Sequence, residues 1–259
     1  MSTGAHQSEP ATVVHVTDQY RLPAMSSLMR LSAIALIAGG LLQVPATAFD
    51  PDLYDPRALF NPAETPVHAI FWIAYLMITL GLPGAYFIHA DKMGWLGTVG
   101  FLLALAGSAM TMSVSLLDGF ALPLIAASHP TEAAPLALVG PGGTAAIFMP
   151  VLLATAVTFF PGYVMFGIAM ARAAVIQAWA GWLLVAGSLL TLAAFAAPAG
   201  RIPTIIGSLL LAAAFAALIP ASRLKRVSGP TSNSSDARSR DFIRRSSTLE
   251  VAREPSPHP

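Results

Sequence analysis

The chain has 259 residues, of which 55% are hydrophobic and 10% are charged, and its formal net charge is only +1. A soluble domain usually carries about a quarter charged residues, so this composition excludes an ordinary water-soluble fold. The absence of cysteine excludes disulfides, thiolate metal sites, iron–sulfur clusters and thiol redox chemistry.

Six apolar stretches are long enough to cross a membrane. A hydrocarbon core of about 30 Å requires about twenty residues in a helix that rises about 1.5 Å per residue. In lipid the backbone must satisfy its own hydrogen bonds, so each stretch is predicted to be helical. We therefore predict an all-α membrane protein with a bundle of about six transmembrane helices, at 29–48, 66–89, 95–117, 146–171, 175–197 and 203–221.

The region before the first span, residues 1–28, is predicted to be a disordered cytoplasmic tail. The first span itself has an alternative interpretation, because Ala46-Thr47-Ala48 follows its apolar run and resembles a signal-peptidase site. The preceding polar segment contains Glu9 and Asp18 and is long and acidic for a signal peptide. This favours a retained helix.

Charged residues predict the orientation of the bundle. Basic residues near membrane ends concentrate on the cytoplasmic side of membrane proteins. With both termini in the cytoplasm, only Arg57 and Arg201 lie outside, whereas the inner segments hold Arg21, Arg30, Lys92, Arg172, Arg223, Lys225 and Arg226. The Ala-rich, cysteine-free composition suggests a bacterial inner membrane.

Polar and aromatic side chains recur along one face of the second span, at steps of three, four or seven residues. They are His68, Trp72, Tyr75, Thr79, Tyr86 and His89. Lipid offers no partner to their polar groups, so this face is expected to point into the protein. It predicts either a pocket or path lined by Trp72, Tyr75 and Thr79, or a packing face whose end residues lie among the headgroups. Pro83 is expected to bend this span or break it locally.

A second polar stripe, Ser108, Thr111, Ser115 and Asp118, leads along the third span toward the outer surface. It predicts either a polar groove ending at a carboxylate or ordinary interhelical hydrogen bonding. Asp118 would need a partner if it lay below the headgroups. Its position after residue 117, followed by Gly119, favours a solvated residue at the helix end.

An outer metal site is a further hypothesis. Glu64 and His68 are four residues apart, His129 and Glu132 are three apart, and Asp118 begins the intervening segment. Histidine and carboxylates suit a divalent ion, and His68, His129 and Glu132 are the weak candidate ligands. Nothing in the sequence brings the two segments together, so ordinary surface residues are the simpler interpretation and no metal is predicted.

The sequence predicts no cofactor and no catalytic residue. His68 and His89 are 21 positions apart, which is about 31 Å along a helix, so they cannot ligate one haem iron. No nucleotide-binding fingerprint, nucleophile elbow or H-E-x-x-H pair occurs. A membrane enzyme is therefore the least favoured class.

The fourth span carries Pro150 and Pro161-Gly162, which predict a bent helix, either a hinge or a static curve. From Phe160 to Ala196 the chain reads FPGYVMFGIAMARAAVIQAWAGWLLVAGSLLTLAAFA. This run resembles the later helices of uncharacterised bacterial multi-span membrane proteins of unknown function. The resemblance implies a membrane location and no particular activity.

Residues 222–259 hold eight of the fourteen Lys and Arg and few large apolar residues, so they are predicted to be a disordered basic cytoplasmic tail. Arg223, Lys225 and Arg226 are expected to contact anionic lipid. No nucleic-acid partner is predicted.

Two hypotheses follow for the function. The first is a small-molecule or ion permease whose path is lined by Trp72, Tyr75, Thr79, Ser108, Thr111, Ser115 and Asp118. The second is a non-catalytic membrane subunit or sensor whose cytoplasmic tail binds a protein partner.

Overall fold

The computed structural model describes residues 23–51, 56–128, 145–173, 178–196 and 201–217, and every regular element in these ranges is helical. The long helices are α1 (Pro23–Phe49), α2 (Glu64–Phe87), α3 (Ala90–Leu116), α5 (Ala145–Ala173), α6 (Ala178–Ala196) and α7 (Arg201–Ala217). Three short elements accompany them: a 3-10 helix at Pro56–Phe60, a π-helical turn at Leu117–Ala121 and helix α4 at Leu122–Ser128.

The six long helices form a closed ring in chain order. Each packs against the next long helix along the chain, and α1 also packs against α7. One link in this closure is a hydrogen bond of 3.0 Å between the hydroxyls of Thr47 on α1 and Ser208 on α7, both buried. The Ala46-Thr47-Ala48 segment thus lies within a helix, and Ala46 is fully buried.

Four helical segments are long and apolar enough to cross a membrane: Ser27–Phe49, Glu64–Phe87, Ala90–Ser128 and Pro150–Ala173. Two further apolar helices, Ala178–Ala194 and Arg201–Ala217, are shorter. Large apolar side chains such as Leu31, Leu80 and Leu102 are more than half exposed on the outside of the ring, as lipid-facing residues are. The structure confirms an all-helical protein with helices suited to a membrane.

The observed helices differ from the predicted spans mainly at their ends. Helix α1 begins at Pro23, six residues before the predicted start, so the last residues of the predicted 1–28 tail are helical. Gly94, with a φ of 57°, interrupts the start of α3, close to the predicted start of that span. The predicted 222–259 tail, with Arg223, Lys225 and Arg226, lies outside the described residues.

The prolines leave the helices continuous. Helix α2 runs through Pro83, and α5 runs through both Pro150 and Pro161. A helix tolerates an internal proline in a membrane when neighbouring groups satisfy the freed carbonyl. The predicted local break in the second span is therefore not present.

The backbones of α3 and α5 approach each other closely near the middle of both helices. A Cβ atom on Gly107 would lie 2.5 Å from the backbone nitrogen of Phe159, and one on Gly162 would lie 2.7 Å from the carbonyl carbon of Leu103. Only glycine allows two helix backbones to come this near. The contact places Phe159 and Tyr163 inside the ring, where they are 5% and 1% exposed.

Candidate functional site

Three ionisable side chains meet where α2 begins and α3 ends. The Nε2 atom of His68 lies 3.2 Å from Oδ2 of Asp118, and its Nδ1 atom lies 3.5 Å from Oε1 of Glu64. One ligand atom from each of the three lies within 4.8 Å of the other two. All three residues are buried, with exposures of 4% for Glu64 and 7% for His68 and Asp118. We call these residues the Glu-His-Asp cluster.

The π-helical turn at Leu117–Ala121 brings Asp118 into the cluster. It adds an extra residue to the turn, and such turns often occur at functional sites. The Gly119 backbone packs directly on the Cβ atom of His68, so no side chain fits there. The hydroxyl of Thr65 donates a 2.7 Å hydrogen bond to the Gly119 carbonyl, which ties the turn to α2.

The burial of Asp118 overturns the solvated helix end favoured by the sequence. The chain does not leave the helix after residue 117; it continues through the π-helical turn into α4, as far as Ser128. Leu122 and Ala126 of α4 pack with Leu59 of the 3-10 helix. These contacts hold the helical extension against the bundle and keep Asp118 inside it.

A third acid, Asp50, follows α1 and faces the cluster. Burial raises the pKa of its carboxyl to about 6, while attraction to His68 and Arg201 lowers it and repulsion from Asp118 raises it. Three carboxyl groups therefore act on one another around a single histidine. Asp50 changes charge in a mildly acidic range, unlike an ordinary surface aspartate.

The cluster borders a cavity of about 410 Å³ inside the ring. Helices α2, α3, α5 and α6 line it, together with Asp50 and Asp118. Its wall is mostly apolar, and its polar lining consists of Asp50, His68, Tyr75, Thr111, Ser115, Asp118, Thr155 and Thr191. We call this cavity the chamber. An apolar cavity with a few converging polar groups is the usual form of a small-molecule site.

Three aromatic rings in edge-on or tilted contact lie at the deep end of the chamber. Tyr75 and Phe159 line the chamber, and their ring centroids are 5.9 Å apart. The ring centroid of Tyr163 lies 4.7 Å from that of Phe159. Tyr163 is hydrogen-bonded to Ser108 at 2.8 Å and contacts Phe215. The amide of Gln43 donates a 2.7 Å hydrogen bond to the Tyr75 hydroxyl. We call Tyr75, Phe159 and Tyr163 the aromatic floor.

The structure separates the predicted path residues into two groups. Tyr75, Thr111, Ser115 and Asp118 line the chamber. Ser108 is fully buried beneath it as the partner of Tyr163. Trp72 and Thr79 are not among the lining residues, and their buried Nε1 and Oγ1 atoms have no hydrogen-bond partner in the described part of the chain. Of the α2 stripe, only His68 and Tyr75 border the chamber.

Of the candidate metal ligands, the structure brings His68 together with Glu64 and Asp118. His129 and Glu132 lie outside the described residues. Sequence reasoning noted the Glu64 and His68 spacing but could not join it to Asp118. It missed Asp50 as a chamber residue. Asp50 lies close to Asp52 and Asp55 in the sequence, but no sequence pattern indicates that Asp50 faces His68.

No protein-family model, curated protein or solved structure matches this chain.

Proposed function

We propose that this chain is a permease for a small solute, with six membrane spans and both termini in the cytoplasm of a bacterial cell. The chamber carries the proposal. Its volume of about 410 Å³ falls within the range of about 300–1,000 Å³ for small-molecule sites, and residues of four helices line it. Buried ionisable residues in membrane segments commonly mark a ligand or ion pathway.

Charge distribution supports a chamber that faces the outside of the cell. The Glu-His-Asp cluster lies at the start of α2 and just after the end of α3. Lys92 lies at the start of α3 and Arg172 at the end of α5, which is the other side of the bundle. Basic residues favour the cytoplasmic side. The chamber reaches inward from Asp118 to Thr111, about 10 Å along α3, so it extends into the membrane.

Passage to the inside would require the aromatic floor to open. Pro161 lies between Phe159 and Tyr163 on α5, and proline removes the hydrogen bond to the carbonyl four residues earlier. The helix is thereby weakened at the level of the floor. This arrangement supports α5 as the helix that moves, with the floor separating as it bends.

Thiol labelling tests the proposal, because the chain has no cysteine of its own. Ser115 lines the chamber, and Ser113 lies two residues away on the exposed face of α3. A membrane-impermeant maleimide added to intact cells should modify Ser115→Cys at least about tenfold faster than Ser113→Cys, because only a thiolate in water reacts. Equal rates would contradict a water-filled chamber.

The same variants distinguish a permease from a sensor or subunit. In inside-out vesicles a permease should also expose Ser115→Cys to the maleimide, because its chamber opens to each side in turn. Ser113→Cys should stay unreactive and serves as the control. Labelling of Ser115→Cys from the outside alone would overturn the permease and favour a one-sided receptor or subunit.

Reporter fusions test the six spans independently of the chamber. An alkaline phosphatase domain joined after Asp55 should be active, and the same domain joined after Ser234 should be inactive, because this enzyme folds only outside the cytoplasm. A fluorescent protein at the same positions should give the reverse result. Identical activities at the two positions would exclude the proposed topology.

A further inference from the structure

The geometry points to a divalent transition-metal site formed by Glu64, His68 and Asp118 at the rim of the chamber. The site does not depend on the permease proposal, because it rests on the Glu-His-Asp cluster alone. Three side chains from two helices supply one imidazole nitrogen and two carboxylates. This is the number of protein ligands found in many zinc sites that keep a fourth position for water or substrate.

The spacing of the ligand atoms fits an ion. Two tetrahedral ligands that each lie about 2.0–2.1 Å from zinc are about 3.3 Å apart. The distance from His68 Nε2 to Asp118 Oδ2 is 3.2 Å, so an ion fits between these atoms without moving them apart. The ligand atom of Glu64 lies within 4.8 Å of the other two, so it would have to move closer to join the ion.

An unsatisfied oxygen on Glu64 provides a second, independent observation. Its Oε2 atom is buried and has no hydrogen-bond partner in the described part of the chain, although the residue is only 4% exposed. A buried carboxylate oxygen without a partner is costly, and such groups often mark an unseen ion or water. A cation in the cluster would satisfy it.

The orientation of His68 also suits a ligand. Its Nδ1 atom lies 3.0 Å from the backbone carbonyl of Glu64 and can donate a hydrogen bond to it. Metal-binding histidines commonly use one nitrogen in this way, which fixes the ring and leaves the other nitrogen for the ion. For His68 the remaining nitrogen is Nε2, which faces Asp118. A proton on Nε2, making an ion pair with Asp118, is the competing arrangement.

The ligand atoms indicate the class of metal. An imidazole nitrogen with two carboxylates suits Zn²⁺ or Mn²⁺, whereas Mg²⁺ and Ca²⁺ prefer oxygen alone. Two carboxylates neutralise a divalent charge, and Asp50 adds negative potential nearby. His68 and Asp118 line the chamber, so the open coordination position would face a solute there.

Equilibrium dialysis of the purified full-length protein against Zn²⁺ tests the site. The wild type should bind one Zn²⁺ per chain through this cluster. His68→Gln and Asp118→Asn should each weaken binding at least about tenfold, since even second-shell changes cost 10–100-fold. The matched controls are His129→Gln, in the other candidate segment, and Asp91→Asn, an exposed aspartate at the opposite end of α3. Both should bind as the wild type does.

Three outcomes would overturn the site: no Zn²⁺ binding by the wild type, equal binding by all variants, or loss with His129→Gln and not with His68→Gln. X-ray absorption at the zinc edge of the wild type covers the case in which a variant fails to fold. It should show nitrogen and oxygen ligands with one imidazole, and two or more imidazoles would refute the cluster. Labelling of Ser115→Cys does not depend on zinc, so the site and the permease can fail separately.

Discussion

Replacing His68 by leucine should lower the free energy of unfolding by about 3 kcal/mol, because removal of one partner from a buried ionic cluster leaves the others uncompensated. Asp118 would lose the His68 nitrogen at 3.2 Å, and Glu64 would lose the one at 3.5 Å. The thermal midpoint of the purified protein, followed by the fluorescence of its four tryptophans, measures the effect. A chelator in the buffer removes bound metal, so the difference in midpoint reports the loss of the His68 side chain alone.

The double variant His68→Leu/Asp118→Leu is the control for this effect. Apolar residues that replace both partners of a buried pair often restore stability, because no buried charge is then left alone. We expect the double variant to unfold at a higher temperature than His68→Leu alone. If the two losses were simply additive, His68 and Asp118 would not be coupled, and their contact would contribute nothing to the fold.

Replacing Gly107 by alanine should destabilise the protein by about 3 kcal/mol, at the upper end of the usual cost of overpacking. The new methyl group would lie 2.5 Å from the backbone nitrogen of Phe159, and backbone cannot rotate away as a side chain can. The helices α3 and α5 would have to separate. The same thermal unfolding measurement detects the loss, which should exceed the gain of about 1 kcal/mol in helix propensity.

Gly40→Ala is the matched control for Gly107→Ala. A Cβ atom at Gly40 would lie 2.9 Å from the ring edge of Phe215 and 3.1 Å from the Cα atom of Ala212. These contacts are less severe, so the expected loss is smaller. Equal losses at the two glycines would show that the α3 and α5 contact is looser than the structure describes.

Much of the helical architecture could be predicted from the sequence because hydropathy is a local property. An apolar run of about twenty residues must form a helix in lipid, whatever it packs against. The positions of α2 and α5 therefore agree closely with the predicted spans at 66–89 and 146–171. The helix ends were less predictable, as shown by the start of α1 at Pro23.

The candidate site could be predicted only in part, because it depends on contacts between distant segments. The spacing of three and four residues placed Thr111, Ser115 and Asp118 on one face of α3, and all three line the chamber. The burial of Asp118 depends on Gly119 packing against His68, more than fifty positions earlier. Periodicity within one helix carries no information on such a contact.

The stripe on α2 shows the same limit. Regular spacing put Trp72, Tyr75 and Thr79 on one face, but only Tyr75 borders the chamber. Thr79 lies one helical turn beyond the floor that Tyr75 forms with Phe159. The depth at which a cavity ends is set by the neighbouring helices. The stripe could therefore indicate an inward face without indicating how far the open space extends.

The contact between α1 and α7 has a consequence for how the protein is made. Thr47 and Ser208 are 161 positions apart, so α1 enters the membrane long before its second neighbour leaves the ribosome. Until then the face of α1 that carries Gly40 and Thr47 lacks the α7 residues that it packs against, Ala212 and Phe215 among them. The contact between α1 and α7 can form only after α7 has been translated, and until then lipid or the insertion machinery must shield this face of α1.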